Sequence, residues 1–362
     1  MALANLKIYE RYLAREIYAA TALVLVAFLA LFAFFDLIHE FEDLGKGGYQ
    51  LHQAILYVTL TMPGRVYELF PIAVLIGTLY GLTLLARHSE ITVLRASGLS
   101  TGSMLLSLGK IGSVFVLLTF VFGEYIAPPA EKAAQELRLK ATSELVAEEF
   151  RTGLWVKDEL SFINVRDVLP DTSLRDIRIY QFDRNNLLLS ISEADSAVFL
   201  PPDHWKMQNV VETLFDGERA HVARLPELEW HSALNPDILS VLMVVPERMS
   251  LTTLYAYIRH LVENQQKTER YEIALWKKIF YPLAALVMMA LALPFAYTHD
   301  RMTAVSIKVF TGVMMGITFH MLNGLFSHLG VINSWRPFFS AITPSALFLF
   351  AAGGMLWWVE RR

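Results

Sequence analysis

Apolar runs long enough to cross a bilayer decide what this chain can fold into. A crossing helix needs about twenty largely apolar residues. The sequence offers six such runs: Ile17 to Ile38, one ending at Ala86, Thr101 to about Ala127, Ala274 to Tyr297, Ala304 to Leu329, and one ending near Val359. Of its 362 residues 54% are hydrophobic and 18% charged, too apolar a balance for a water-soluble protein of this size. No small-residue cleavage pattern follows the first run, which reads as a retained span rather than a signal peptide. The stretch from Ala54 to Ala86 is too long for one straight crossing and holds Pro63, Arg65, Glu68 and Pro71. It is expected to divide into an entry segment ending at Pro63 and a span proper. Arg65 and Glu68, three apart, are placed to pair on one helical face. Pro128 and Pro129 are expected to mark the exit of the third span. A charged helical pattern then resumes, with Lys132, Glu136 and Lys140 in one stripe.

Residues 153 to 245 change character. Short runs rich in β-branched and aromatic residues, such as LRDIRIYQF and HWKMQNVVETL, alternate with turn signals at Asn185-Asn186, Pro201-Pro202-Asp203 and Asp216-Gly217. Such spacing without a helical pattern predicts an antiparallel sandwich or open barrel. Ser250 is placed to cap a helix from Leu251 to about Gln265, with Leu251, Leu254, Ile258 and Leu261 on one face. The chain thus divides into spans one to three (1–127), a β domain with flanking helices (128–270) and spans four to six (271–362).

Six spans place both termini on one side. Arg11, Arg15, Arg87, Arg95, Arg301, Arg361 and Arg362 fall on that side, against Lys46 and Arg336 in the short loops of the other. The positive-inside rule makes the termini and the loop after the second span cytoplasmic and the β domain extracytoplasmic.

That loop, Arg87 to Ser100 (RHSEITVLRASGLS), is helix-sized and charged, where a simple connection needs only a few polar residues. On a helical wheel Ile91, Leu94 and Gly98 share one side and His88, Thr92 and Arg95 the other, with Glu90 at the edge. Read from its residues alone, it is either a docking surface or an ordinary solvated loop.

Catalytic signatures are missing. There is no cysteine, which excludes disulfides, thiolate metal sites and a thiol nucleophile. Neither G-x-x-x-x-G-K-[ST] nor H-E-x-x-H occurs. A net charge of −4 gives no case for nucleic acid. Asp36 has no intramembrane aspartate to form a proteolytic pair, and His320 on the fifth span reads as a hydrogen-bonded packing residue before a proton relay. An ion-coupled transporter would need intramembrane carboxylates and usually an inverted repeat, and neither is found. A membrane anchor presenting a β domain is the remaining rival.

Several stretches, in order along the chain, resemble the lipopolysaccharide-export permease family of the LptF/LptG type, nearer its LptG branch: MPGRVYELFPIAVLIGTLYGLTLLARHSEITVLRASG (62–98), GEYIAPPAE (123–131), GLWVKD (153–158), IRIYQFD (177–183) and RYEIALWKKIFYPLA (270–284). The resemblance implies a non-catalytic half-transporter of the bacterial inner membrane. It would pair with a second permease, LptF, on a dimer of the ATPase LptB, which alone holds ATP and magnesium; the chain itself would bind no cofactor or metal. The β domain would be a periplasmic jellyroll that passes lipopolysaccharide to a bridge beginning with LptC. Arg87–Ser100 would be the coupling helix, with Glu90 meeting the ATPase and Ile91, Leu94, Arg95, Ala96 and Gly98 in the same docking motif. Arg138 sits where the family holds lipid phosphate, and Lys132, Lys140 and Arg65 are its candidate helpers. Lipid would enter a cavity between the permeases lined by the first and fifth spans, here Phe28, Phe32, Thr311 and Thr318. Two departures stand out. Gly64 replaces the lysine expected after the proline opening the second span, and the outer end of the first span is acidic (Asp36, Glu40, Glu42, Asp43) where basic residues are expected. The second departure leaves the partner permease or a divalent cation to supply that charge.

Overall fold

The computed structural model describes residues 7–45, 49–141, 154–158, 160–168, 173–183, 185, 187–200, 204–216, 219–232, 245–263, 265–297 and 305–361. The expected positions Lys46, Arg301 and Arg362 lie outside them, as does the side chain of Lys140.

Among the described residues, six helical rods are long and apolar enough to cross a membrane. The first, α1 (Ile8–Phe41), contains neither proline nor glycine and starts where Glu10 takes the backbone N–H of Lys7 at 2.7 Å. The second, α2 (Leu51–Arg87), is one continuous helix, so the expected break at Pro63 is absent. At 1.5 Å per residue it is about 55 Å long, against a hydrocarbon core of about 30 Å. One unbroken rod takes up such a surplus by tilting or by projecting past the apolar layer, so no break is required. Pro63 and Pro71 are carried because neighbouring helices hold the rod, a tolerance that membrane bundles share. In α2, 78% of the most apolar window is buried, against 6% in α1.

Small residues set these contacts. A Cβ on Gly77 would lie 2.6 Å from the backbone of Thr21, so α1 and α2 meet backbone to backbone. On the opposite face of α2, Ile72 and Ile76 receive Gly316 and Gly312 of α9 (Val305–Ile332).

A seven-residue helix, α3 (Glu90–Ala96), joins α2 to α4 (Thr101–Val121). The helix runs on through Pro128 and Pro129, where the third span was expected to leave the apolar layer. A π-helical segment, Phe122–Ile126, precedes them, and α5 (Ala127–Ala141) continues the rod. Ala127 N–H bonds Phe122 O, five residues back. The widened turn absorbs the missing donors and ring bulk that would otherwise break an α-helix.

Among the described residues the β domain is one antiparallel sheet of six strands paired in chain order: β1 (Leu154–Asp158), β2 (Ser161–Val168), β3 (Leu174–Phe182), β4 (Leu188–Leu200), β5 (His204–Asp216) and β6 (Arg219–His231). Flat, its outer strands would lie about 24 Å apart, five gaps of about 4.8 Å. Yet Ser232, just past β6, donates a short hydrogen bond to Asp158 at the end of β1. The sheet is therefore curled, which favours the open-barrel reading over two separate layers. Ile163, Val165, Ile177, Ala197 and Trp205 fill its concave side.

Ser250 caps α6 (Leu251–Glu263) as expected, its Oγ accepting from Thr253 N–H at 3.1 Å. Glu124 of the π segment accepts Leu251 N–H at 2.8 Å and lends negative charge to the same helix start. Then α7 (Glu269–Phe280), a 3-10 turn (Tyr281–Leu283) and α8 (Ala284–Tyr297) form the fourth span, and α10 (Pro337–Glu360) the sixth. The main core joins α1, α2, α4, α8, α9 and α10.

Candidate functional site: a coupling segment, a charged belt and an open flank

At one end of the bundle α3 stands between two left-handed residues, Ser89 (φ 62°) and Gly98 (φ 93°). Ile91 is 4% exposed and belongs to the core, and Leu94 is half-buried. Those two residues anchor the helix and leave Thr92, Val93, Arg95, Ala96 and Gly98 on the exposed side. Glu90 is half-buried and accepts the Tyr12 hydroxyl at 3.3 Å. The Arg95 guanidinium lies 4.6 Å from the centre of the Tyr297 ring.

At the β-domain end, acidic residues of and just after α1 meet basic residues of α2 and α5. Arg65 grips Asp36 with two hydrogen bonds, 2.9 and 3.1 Å, and reaches Glu68 at 3.3 Å, with the Phe32 ring 5.4 Å away. Arg138 meets Asp43 at 3.1 Å and lies over the Tyr57 ring at 5.4 Å, its side chain 36% exposed. Glu40 is buried and accepts the Tyr49 hydroxyl at 2.8 Å; burial, then Glu40, push that phenol well above its ordinary pKa. Asp36 and Asp43 of this acidic run are thus internal partners of the two arginines. The pairs are forked or stacked on aromatics, geometry that suits guanidinium and not lysine. Lys132 is exposed on α5.

Between these ends α1 and α9 are largely uncovered. Leu23, Phe34 and Phe35 on α1 and Phe310 and Met321 on α9 are more than half exposed. Phe28 and Phe32 are half-buried on α1. Thr311 and Thr318 bond the carbonyls of Ile307 and Met314 within their own helix, so each presents its methyl group with no unpaired donor. With Met314, Leu347 and Phe348 they line an apolar groove of about 450 Å³ between α9 and α10. Phe28 and Phe32 lie on α1, on the other flank of α2, so the four predicted lining residues do not form one pocket within this chain.

Sequence reasoning missed a cavity of about 250 Å³ at the β-domain end, lined by Glu68, Glu131, Arg248, Lys277 and His320. His320 is exposed there, not buried in packing as expected. Arg248 bonds Glu131 at 2.7 Å; burial pulls its pKa down, but Glu131 more than offsets this and the guanidinium is held charged. Also missed was Glu10, 1% exposed, which takes Lys110 at 2.8 Å and Ser107 at 3.0 Å and so locks α1 to α4. Both constellations join residues about a hundred positions apart, which no local pattern reveals.

Comparison with known proteins follows the same lines. The family described as lipopolysaccharide export system permease LptF/LptG matches residues 11–359. The lipopolysaccharide export system permease protein LptG of Haemophilus influenzae is 32% identical over 98% of both chains. Its Escherichia coli K12 counterpart is also 32% identical over 98% of both chains. With six spanning helices around an antiparallel β domain and a match running almost end to end, the chain belongs to the LptF/LptG family of lipopolysaccharide export permeases.

Proposed function

We propose that this chain is the permease half of an ATP-driven lipopolysaccharide exporter in the bacterial inner membrane. It pairs with a second permease of the LptF kind, sits on an LptB ATPase dimer, and hands lipid to LptC. The observation that carries this reading is the combination of a short, charged helix exposed at one end of the bundle with two apolar helices left uncovered along its side. The termini and α3 face the cytoplasm, and the β domain faces the periplasm. ATP and magnesium belong to the ATPase, which meets α3 through Glu90, Arg95 and Ala96. Phe28, Phe32, Thr311 and Thr318 line the two flanks that a partner permease would close into a lipid chamber. Arg138 and Arg65, with Lys132 and Lys140 beside Arg138, receive phosphate at the chamber's outer end. A phosphate, with more charge and more acceptor oxygens than one carboxylate, competes with Asp43 and Asp36 for those guanidiniums.

The test is lipid release from vesicles holding the complex purified from its native membrane. Release that requires ATP, and persists when ion gradients are collapsed, is the expected result. Release that follows an ion gradient supports the ion-coupled class, and absence of release supports the anchor. Either result overturns the reading.

A further inference from the structure

Both charged side chains of α3 are held from behind by a tyrosine, each on a different span. Tyr12, one turn into α1, donates to Glu90 at 3.3 Å. Tyr297, the last residue of α8, stacks its ring under Arg95 at 4.6 Å. Around them the backbone is built for a hinged segment. Ser89 occupies a left-handed conformation that strains a non-glycine residue, and Gly98 takes the same region at the other end. Ile91 supplies the pivot, buried in the core that also holds Leu13, Ala14 and Ile17 of α1. The first turns of α1 are further clamped to α4 through Glu10, Ser107 and Lys110, so the Tyr12 contact ties α3 to an ordered helix end, and its release is felt there.

We infer that Tyr12 and Tyr297 are positioning residues through which a docked α3 moves the first and fourth spans. The inference rests on the docking reading of α3. A protein surface that pairs with Glu90 or Arg95 competes with the tyrosine behind that charge. Docking and release of α1 and α8 are then one linked equilibrium. The linkage has a consequence that a purely structural role lacks. Removing the tyrosine contact removes a competitor, so docking is kept or tightened while transmission to the spans is lost.

The experiment uses the whole complex from its native membrane, reconstituted with lipopolysaccharide, and measures lipid released per ATP hydrolysed. Tyr12→Phe deletes the hydroxyl that meets Glu90, and Tyr297→Leu deletes the ring under Arg95. Each should lower the ratio about three- to tenfold, the size of a lost coupling contact, with ATPase co-purification undiminished. Tyr297→Phe keeps the ring and should remain near the wild-type ratio. Unchanged ratios in Tyr12→Phe and Tyr297→Leu, or loss of the ATPase from either, overturn the inference; so does a Tyr297→Phe variant as impaired as Tyr297→Leu. A wild-type preparation that carries no ATPase overturns the docking reading itself, and the inference with it.

Discussion

Arg138 carries its charge half in solvent, with Asp43 on one side and the Tyr57 ring beneath. Under the proposed function a guanidinium so placed exchanges its carboxylate for a phosphate, its plane fixed by the ring and its side chain partly open to solvent. Arg138→Glu reverses the charge and sets two acids side by side. Lipopolysaccharide co-purifying with the protein should fall about tenfold, as a loss of roughly 1.4 kcal/mol implies, while the partner permease stays bound. An unchanged lipid yield would remove Arg138 from the phosphate site. At this scale the sequence was partly readable. The Arg65–Glu68 pair follows from three-residue spacing, and the structure has it at 3.3 Å. The stronger grip of Arg65 on Asp36 was not readable, because it depends on the register between α1 and α2, set by Gly77 against Thr21.

Among elements, α2 governs the bundle, since α1 and α9 pack on its opposite faces. Gly77→Leu would drive a side chain into the Thr21 backbone and push α1 away. One turn along, a Cβ on Gly81 would lie 3.7 Å from the Ile17 Cα, and the chain has no cysteine, so an Ile17→Cys/Gly81→Cys pair can report on this contact without background. That pair should crosslink readily in an otherwise wild-type chain and poorly once Gly77→Leu is added; equal crosslinking would show that α1 is held by other contacts. Proline misled the reading of elements. The rule that proline ends a helix holds where nothing compensates, but Pro63 and Pro71 lie in a helix gripped by neighbours, and Pro128 and Pro129 follow a π turn that makes room for them. The α3 segment was seen as helix-sized and amphipathic; its apolar residues Ile91 and Leu94 prove to be anchors, and the helix itself spans seven residues.

Across the whole molecule, the spans, the β domain and their order were legible because hydrophobic length and two-residue alternation are strong, local signals. The way the sheet curls was not, since it depends on a contact between its first strand and the end of its last. Trp205 is fully buried under that curl, stacked near Trp230 and edge-on to Phe199. Trp205→Ala should cost the β domain about 3–5 kcal/mol, seen as faster hydrogen exchange in β4 to β6 with the spanning helices unchanged. Exchange that stays slow throughout would show that the sheet does not depend on that core. The account as a whole turns on α3 as the place where an ATPase is received. The most direct measurement is purification from the native membrane of wild type beside Glu90→Arg. The account predicts that wild type brings down an ATPase and a second permease, and that Glu90→Arg keeps the permease and loses the ATPase. A wild-type chain that arrives without an ATPase, or a Glu90→Arg chain that retains it in full, would contradict the account.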